Sequence, residues 1–142
     1  MNWKVYLSGE IHSDWRTNIV KLCRQSNLPF EFLNTAGIDV SEVQGVDDWI
    51  NKNAVKINAI RIQNGLDKAD LVIVKFGKNF DQWTAAYDAG YARAMNKPYV
   101  VIHPPELIQV LKEVESGAAA VADREDQVVD ILKGIIRKKK RL

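Results

Sequence analysis

A chain of 142 residues fits one domain of ordinary size, and it can bury roughly two thirds of its unfolded surface without disulfide or metal staples. Its 46% hydrophobic and 27% charged residues argue against a disordered chain, a fibre or a membrane-spanning protein. The net charge of +2 sits in the run Arg137-Lys138-Lys139-Lys140-Arg141; without it 15 basic residues face 18 acidic ones, and that body of −3 speaks against a nucleic-acid-binding surface.

Trp3 to Ser8 is short and apolar and ends at Gly9, which predicts a buried first strand. Ser13 or Asp14 can cap a helix from Trp15 to Gln25, with Trp15, Ile19, Leu22 and Cys23 on one side. Phe30 to Leu33 is a second strand. Residues 34–50 mix Gly, Asp, Ser and Val without periodicity, and a loop this long suggests a flap or small insertion. Val43, Val46 and Trp49 give it apolar groups to pack. A helix over 51–67 follows, with Val55, Ala59, Ile62 and Leu66 inward. Ala69 to Phe76 reads as the central strand, closed by Gly77. Asp81 can cap a helix running to Met95. Asn96-Lys97-Pro98 turns the chain into the strand Tyr99 to Ile102, with Lys97 solvated. Pro104-Pro105 opens a short helix to about Glu113. Ala118 to Ala122 reads as a weak edge strand, and a last helix runs from Glu125 to Lys139.

Strands therefore alternate with helices, and the interior strands are continuous apolar runs. That pattern predicts an α/β domain, a doubly wound parallel sheet of about five strands with helices on both faces. Residues 1–136 form this single domain, and residues 137–142 form a basic tail. The lone Cys23 excludes an internal disulfide and reads as a small core residue. His12 and His103 stand far apart without a cysteine cluster, so no metal and no cofactor is expected. Trp3 and Trp15 read as packing residues. The first residues lack an apolar signal region, and no run approaches the roughly 20 residues that span a bilayer. A cytoplasmic protein is the expectation.

Ligands of such sheets sit beyond the carboxyl ends of the strands, near the switch point. Two segments fall there. The first is Ser8-Gly9-Glu10-Ile11-His12-Ser13. Gly9 allows close backbone approach, Glu10 brings an acceptor and His12 a proton shuttle. The structural alternative is a tight turn with a solvated Glu10. The spaced glycines of a dinucleotide fingerprint are absent. The second segment is Asp81-Gln82-Trp83-Thr84-Ala85-Ala86-Tyr87-Asp88. Seven residues return a helix to within about 20° of its starting direction, so Asp81, Thr84 and Asp88 share one face. The alternatives are an N-cap for Asp81 and a bridging surface acid for Asp88. Of Trp83 and Tyr87, at least one should be core or an oligomer contact.

These segments resemble the nucleoside 2-deoxyribosyltransferase-like superfamily, whose fold is flavodoxin-like. The closer resemblance is to its YtoQ-like branch, through Tyr-Leu-Ser-Gly-Glu-Ile-His-Ser-Asp-Trp-Arg (6–16) and Phe76-Gly77 before Gln82-Trp83-Thr84-Ala85. The resemblance implies a carboxylate nucleophile at Asp88, where the transferases carry glutamate. It implies that Tyr6 steadies that carboxylate and that Gly9 helps form the sugar or phosphate pocket. Thr84-Ala85 stand where the superfamily has Gly-Thr, Gln82 where it has a sugar-binding Asp, and Glu10 where it has proline. Aspartate is also one methylene shorter. The expected function is transfer or hydrolysis at an N-glycosidic bond of a nucleoside or nucleotide. Asp88, Tyr6 and Glu10 would be catalytic, and Ser8, Gly9, His12, Gly77, Asp81, Gln82 and Thr84 would bind substrate. A homo-oligomer is expected, with no membrane or nucleic-acid partner. The alternatives are a non-catalytic nucleotide-binding or signalling module, or a dimerisation protein using Trp83 and Tyr87.

Overall fold

The structure is a computed structural model that describes residues 2–36, 48–78 and 83–137, without the side chains of residues 48–52, 54 and 55. Val43, Val46, Asp81, Gln82 and the tail beyond 137 lie outside the described residues, as do the side chains of Trp49 and Val55. Strand β1 (Trp3–Gly9) is followed by α1 (Trp15–Gln25), β2 (Phe30–Leu33), α2 (Asp48–Lys68), β3 (Leu71–Lys75), α3 (Trp83–Ala94), β4 (Tyr99–Ile102), α4 (Lys112–Ser116), β5 (Ala120–Ala122) and α5 (Glu125–Ile136). All neighbouring strands are parallel, in the order β2-β1-β3-β4-β5.

The order reverses at β1. The chain leaves β1 toward β2, then recrosses to β3 on the other side. Right-handed crossovers in opposite directions place their helices on opposite faces. Accordingly one core packs Val5, Leu7, Leu71 and Ile73 of the sheet with Trp15, Ile19 and Cys23 of α1 and Val128 and Leu132 of α5. The other packs Tyr6, Val72, Val74 and Val101 with Leu66 of α2, Ala85, Ala89 and Ala92 of α3, and Leu111 before α4. Each interior strand is apolar on both sides because each side meets a helix. Burial in the first core holds the Cys23 thiol up at about 11, so it is an inert packing group.

Some local expectations change. The inward face of α2 carries Asn58, Ile62 and Leu66, whereas Ala59 is exposed. Gly65 on the same face lets α2 lie on the Tyr6 ring, since a Cβ there would stand 2.5 Å from Tyr6 Cε2. The helix expected after Pro104 is broken: a 3-10 turn at Pro105–Leu107 precedes α4, which begins only at Lys112. Trp3, the first residue of β1, is 41% exposed rather than packed in the core. Lys97 is not simply solvated. Its ammonium donates to the carbonyls of Asp67 and Ala69, each at 2.7 Å, and so closes the carboxyl end of α2. Asp70, in the turn before β3, accepts from Lys4 N–H at 2.8 Å through its carboxylate. Helix α5 stops at Ile136, before the basic run.

Candidate functional site

The switch point lies between β1 and β3, and their carboxyl ends place the site. Ser8 is level with Val74, and Gly9 with Lys75. Side chains alternate across a strand, so Tyr6 and Ser8 face α2 and α3 while Leu7 faces α1. Gly9 has φ +110°, a conformation in which side chains are strained. What approaches its α-carbon is β3 itself.

Helix α3 buries Ala85, Asp88, Ala89 and Ala92, a stripe at helical spacing. The alanines let the helix sit close to the sheet, and that closeness brings Asp88 onto the end of β1. Ser8 Oγ donates to Asp88 Oδ2. The carboxyl is 2% exposed, and Oδ1 has no hydrogen-bond partner among the described residues. Burial drives the Asp88 pKa up to about 6, against the pull of the Ser8 hydroxyl and of Arg16. Tyr6 is buried close enough to feel that charge. Burial and then Asp88 hold its hydroxyl protonated well above the usual phenol range, while Arg16 and Arg61 act the other way.

Glu10 takes a different course. It is only 6% exposed, so it is not solvated. Its two oxygens accept from His12 N–H and from the Ser13 hydroxyl, closing the turn before α1. Ser13 thus does not cap the helix with its side chain, and neither does Asp14. The Glu10 carboxylate is held by its own turn rather than by the Asp88–Ser8 pair. Gly77 lies against the Glu10 side chain, and His12 is exposed. Thr84 is exposed one turn before Asp88, at the edge of the buried stripe, so it does not share Asp88's environment. Trp83 and Tyr87 are both outside the core, at 79% and 71% exposed.

A cleft of about 360 Å³ opens at the carboxyl ends of β1, β3, β4 and β5, lined in part by Glu10, His12, Gly77, Lys75, His103 and Asp123. Tyr6, Ser8 and Asp88 are not among its lining residues. The predicted residues therefore divide in two. Tyr6, Ser8 and Asp88 meet on the α2–α3 side, and Glu10, His12 and Gly77 line the cleft beside them. Lys75 points to the α1–α5 side and pairs with Glu125 at 3.4 Å. His103 is buried at the end of β4, with Nδ1 2.6 Å from Pro104 O and Nε2 on the Glu115 carboxylate. No group of three or more metal-ligating side chains occurs among the described residues, and no described helix is long and apolar enough to cross a membrane.

Arg16 is the residue the sequence reading overlooked. A signal was present: positions 16, 19, 20 and 23 form the inward stripe of α1, and a charged group on such a stripe needs a buried partner. Removing the Ser8 hydroxyl tests the other buried contact. In Ser8→Ala the Asp88 midpoint rises above 6, because one group favouring the carboxylate is gone. Carbon-13 titration of the Asp88 carboxyl measures it.

Residues 6–136 match the family described as Nucleoside 2-deoxyribosyltransferase YtoQ. The chain is 34% identical over 141 residues to the uncharacterized protein YtoQ of Bacillus subtilis (strain 168), covering 93% of this chain and 95% of that one. Its fold is similar to a conserved protein from Enterococcus faecalis V583, with TM-score 0.70 and 14% identity over 96% of this chain and 100% of that one. It is also similar to a 2-deoxyribosyltransferase from Bacillus psychrosaccharolyticus, with TM-score 0.61 and 18% identity over 98% of this chain and 99% of the other.

Proposed function

The chain belongs to the Nucleoside 2-deoxyribosyltransferase YtoQ family, and from that premise we propose that it binds a nucleoside or nucleotide and transfers or hydrolyses the N-glycosidic bond through Asp88. The observation that carries this reading is the Asp88 carboxyl: it is buried, one oxygen is held by Ser8, and the other has no partner among the described residues. An oriented carboxylate with one oxygen unengaged is the arrangement a nucleophile requires.

In the proposed reaction Oδ1 forms a bond to C1′ of the sugar as the bond from C1′ to the base nitrogen breaks. The electron pair of that bond leaves with the base, which takes up a proton. The resulting glycosyl ester is opened when water or a second base attacks C1′ and the carboxylate is released. Tyr6, kept protonated beside Asp88, orients it. Gly9, Gly77 and His12 border the strand ends and lie on the substrate side in this proposal, with Thr84 in the first turn of α3 and Asp81 and Gln82 immediately before that helix. Glu10 shapes the cleft wall and, in this reading, meets a sugar hydroxyl. A homo-oligomer is part of the proposal, with the exposed Trp83 and Tyr87 on its contact face; sedimentation of a Trp83→Ser, Tyr87→Ser variant tests it.

The reaction needs the ionised acid, so its rate falls about tenfold per pH unit below 6 and levels off above it. A pH–rate profile from pH 4.5 to 8 measures this.

A non-catalytic nucleotide-binding module is the second reading. It is favoured by the separation of the cleft lining from Asp88 and by the engagement of Glu10 in its own turn. Incubating the protein with 2′-deoxynucleosides and their 5′-monophosphates, with and without an acceptor base, separates the two. Free base released by the wild type and lost in Asp88→Ala supports the enzyme. Ligand binding by calorimetry with no base released across the panel supports the module. Release unchanged in Asp88→Ala removes Asp88 as nucleophile and leaves the activity standing.

A further inference from the structure

Arg16 is buried and makes no ion pair among the described residues. Its guanidinium lies at the end of β1, beyond the last β2 pairing at Tyr6 and Leu33. There the backbone of β1 has lost a strand neighbour, and its carbonyls need other donors. Arg16 supplies three: Nε to Leu7 O at 3.3 Å, Nη2 to Gly9 O at 3.2 Å, and Nη1 to Glu10 O at 2.7 Å. Asn34 Nδ2 adds a second bond to Leu7 O at 2.8 Å. The Leu7 and Gly9 carbonyls flank Ser8, whose own side chain projects to the opposite face and donates to Asp88. One guanidinium therefore brackets the residue that holds the carboxyl.

A buried positive charge acts over a longer range than an exposed one, because little water screens it. The acidic groups that feel Arg16 are the Tyr6 hydroxyl, Glu10 and Asp88. Glu10 is hydrogen-bonded within its own turn, to His12 N–H and the Ser13 hydroxyl. Around Asp88, β1 contributes Tyr6 and Ser8, α1 contributes Arg16, and Arg61 of α2 acts on Tyr6.

We propose that Arg16 is a positioning residue for Asp88: by clasping the carbonyls on either side of Ser8 it aims the Ser8 hydroxyl at the carboxyl, and from the other side of the strand it places a positive charge behind this buried acid. The catalytic consequence rests on the reading of Asp88 as nucleophile. The coupling of Arg16 to Asp88 does not, and it is measured without turnover. Burial of the guanidinium in turn lowers its own proton affinity, the cost of placing it there.

The test is carbon-13 titration of the Asp88 carboxyl in the full chain, its resonance identified by its loss in Asp88→Asn. In Arg16→Gln the midpoint rises above 6, and in Arg16→Lys, which retains a charge, it rises less. A folded Arg16→Gln protein with the wild-type midpoint overturns the proposal. If Arg16→Gln does not fold, adding Asp88→Asn decides. The double variant recovers folding, because the uncompensated carboxylate is gone, and it recovers more than Leu132→Ala does with the same addition. Equal recovery in the two backgrounds, or none, overturns the proposal. Loss of base release in Arg16→Gln with an unmoved Asp88 midpoint would count against the coupling and leave the proposed activity intact.

Discussion

Asp88→Asn is expected to abolish base release, by about a thousandfold or more, while making the protein more stable at neutral pH. The two effects share one cause. The amide keeps the shape and can still accept from Ser8, but it can neither attack C1′ nor carry a charge. The Asp88 pKa is about 6 in the folded chain against 3.8 for an ordinary aspartate, so the folded protein binds the extra proton between those values. Stability from this group is therefore fully present below about pH 4 and is lost as pH rises through 6. Above that pH the ionised acid costs about 3 kcal/mol that asparagine does not, from the size of the shift. Urea unfolding at pH 7.5 and at pH 4 measures the difference: Asp88→Asn is the more stable at pH 7.5, and the gap closes near pH 4. A variant no more stable than wild type at pH 7.5 contradicts the burial argument. Such opposition between stability and activity is common where an active site holds an unfavourable charge.

Gly9→Ala is the second large effect, with an expected loss of at least about 3 kcal/mol from combined backbone strain and overlap. At φ +110° any side chain is strained. A Cβ built at Gly9 would also lie 2.1 Å from Lys75 O and 2.9 Å from Lys75 N. Those atoms belong to the middle of the sheet, where Glu10 N–H also donates to Lys75 O at 3.0 Å. Relief would have to separate β1 from β3, and that separation would also disturb Ser8 and the Arg16 clasp. Chemical unfolding should show a lowered midpoint with little change in slope. Retained stability in Gly9→Ala would mean that the close approach is not required. The glycine is thus explained by β3 at least as much as by any ligand.

Much of the fold was legible in the residues. Leu71 to Lys75 and Tyr99 to Ile102 are apolar runs too short for helices, and Pro98 marks the entry to the second. Trp15, Ile19 and Cys23 repeat at helical spacing and are all buried. Less legible were features set by position in the sheet. Ala59 fits a helical stripe by spacing, yet the surface that α2 presents to β1 is set by Gly65 on the Tyr6 ring, and Asn58 turns inward instead. Helix α4 starts late because residues 105–111 form a 3-10 turn and a further turn, with Leu107 and Leu111 packed in the second core.

The candidate site divides along the same line. Asp88 was identifiable as an acid among small residues, and Tyr6-Leu7-Ser8-Gly9 as a strand entering a ligand-binding edge. Spacing could not show that Ser8 would meet an acid 80 residues away, or that Glu10 would turn back on His12 and Ser13. The sequence by itself determined the α/β fold class, a basic run at 137–141 and a net acidic remainder, because periodicity and charge are local properties. Only the tertiary structure decided that the acid is buried, that Ser8 holds one oxygen and that Arg16 clasps the strand beneath. Those contacts depend on strand order and register, which bring distant residues together at the reversal between β1 and β3.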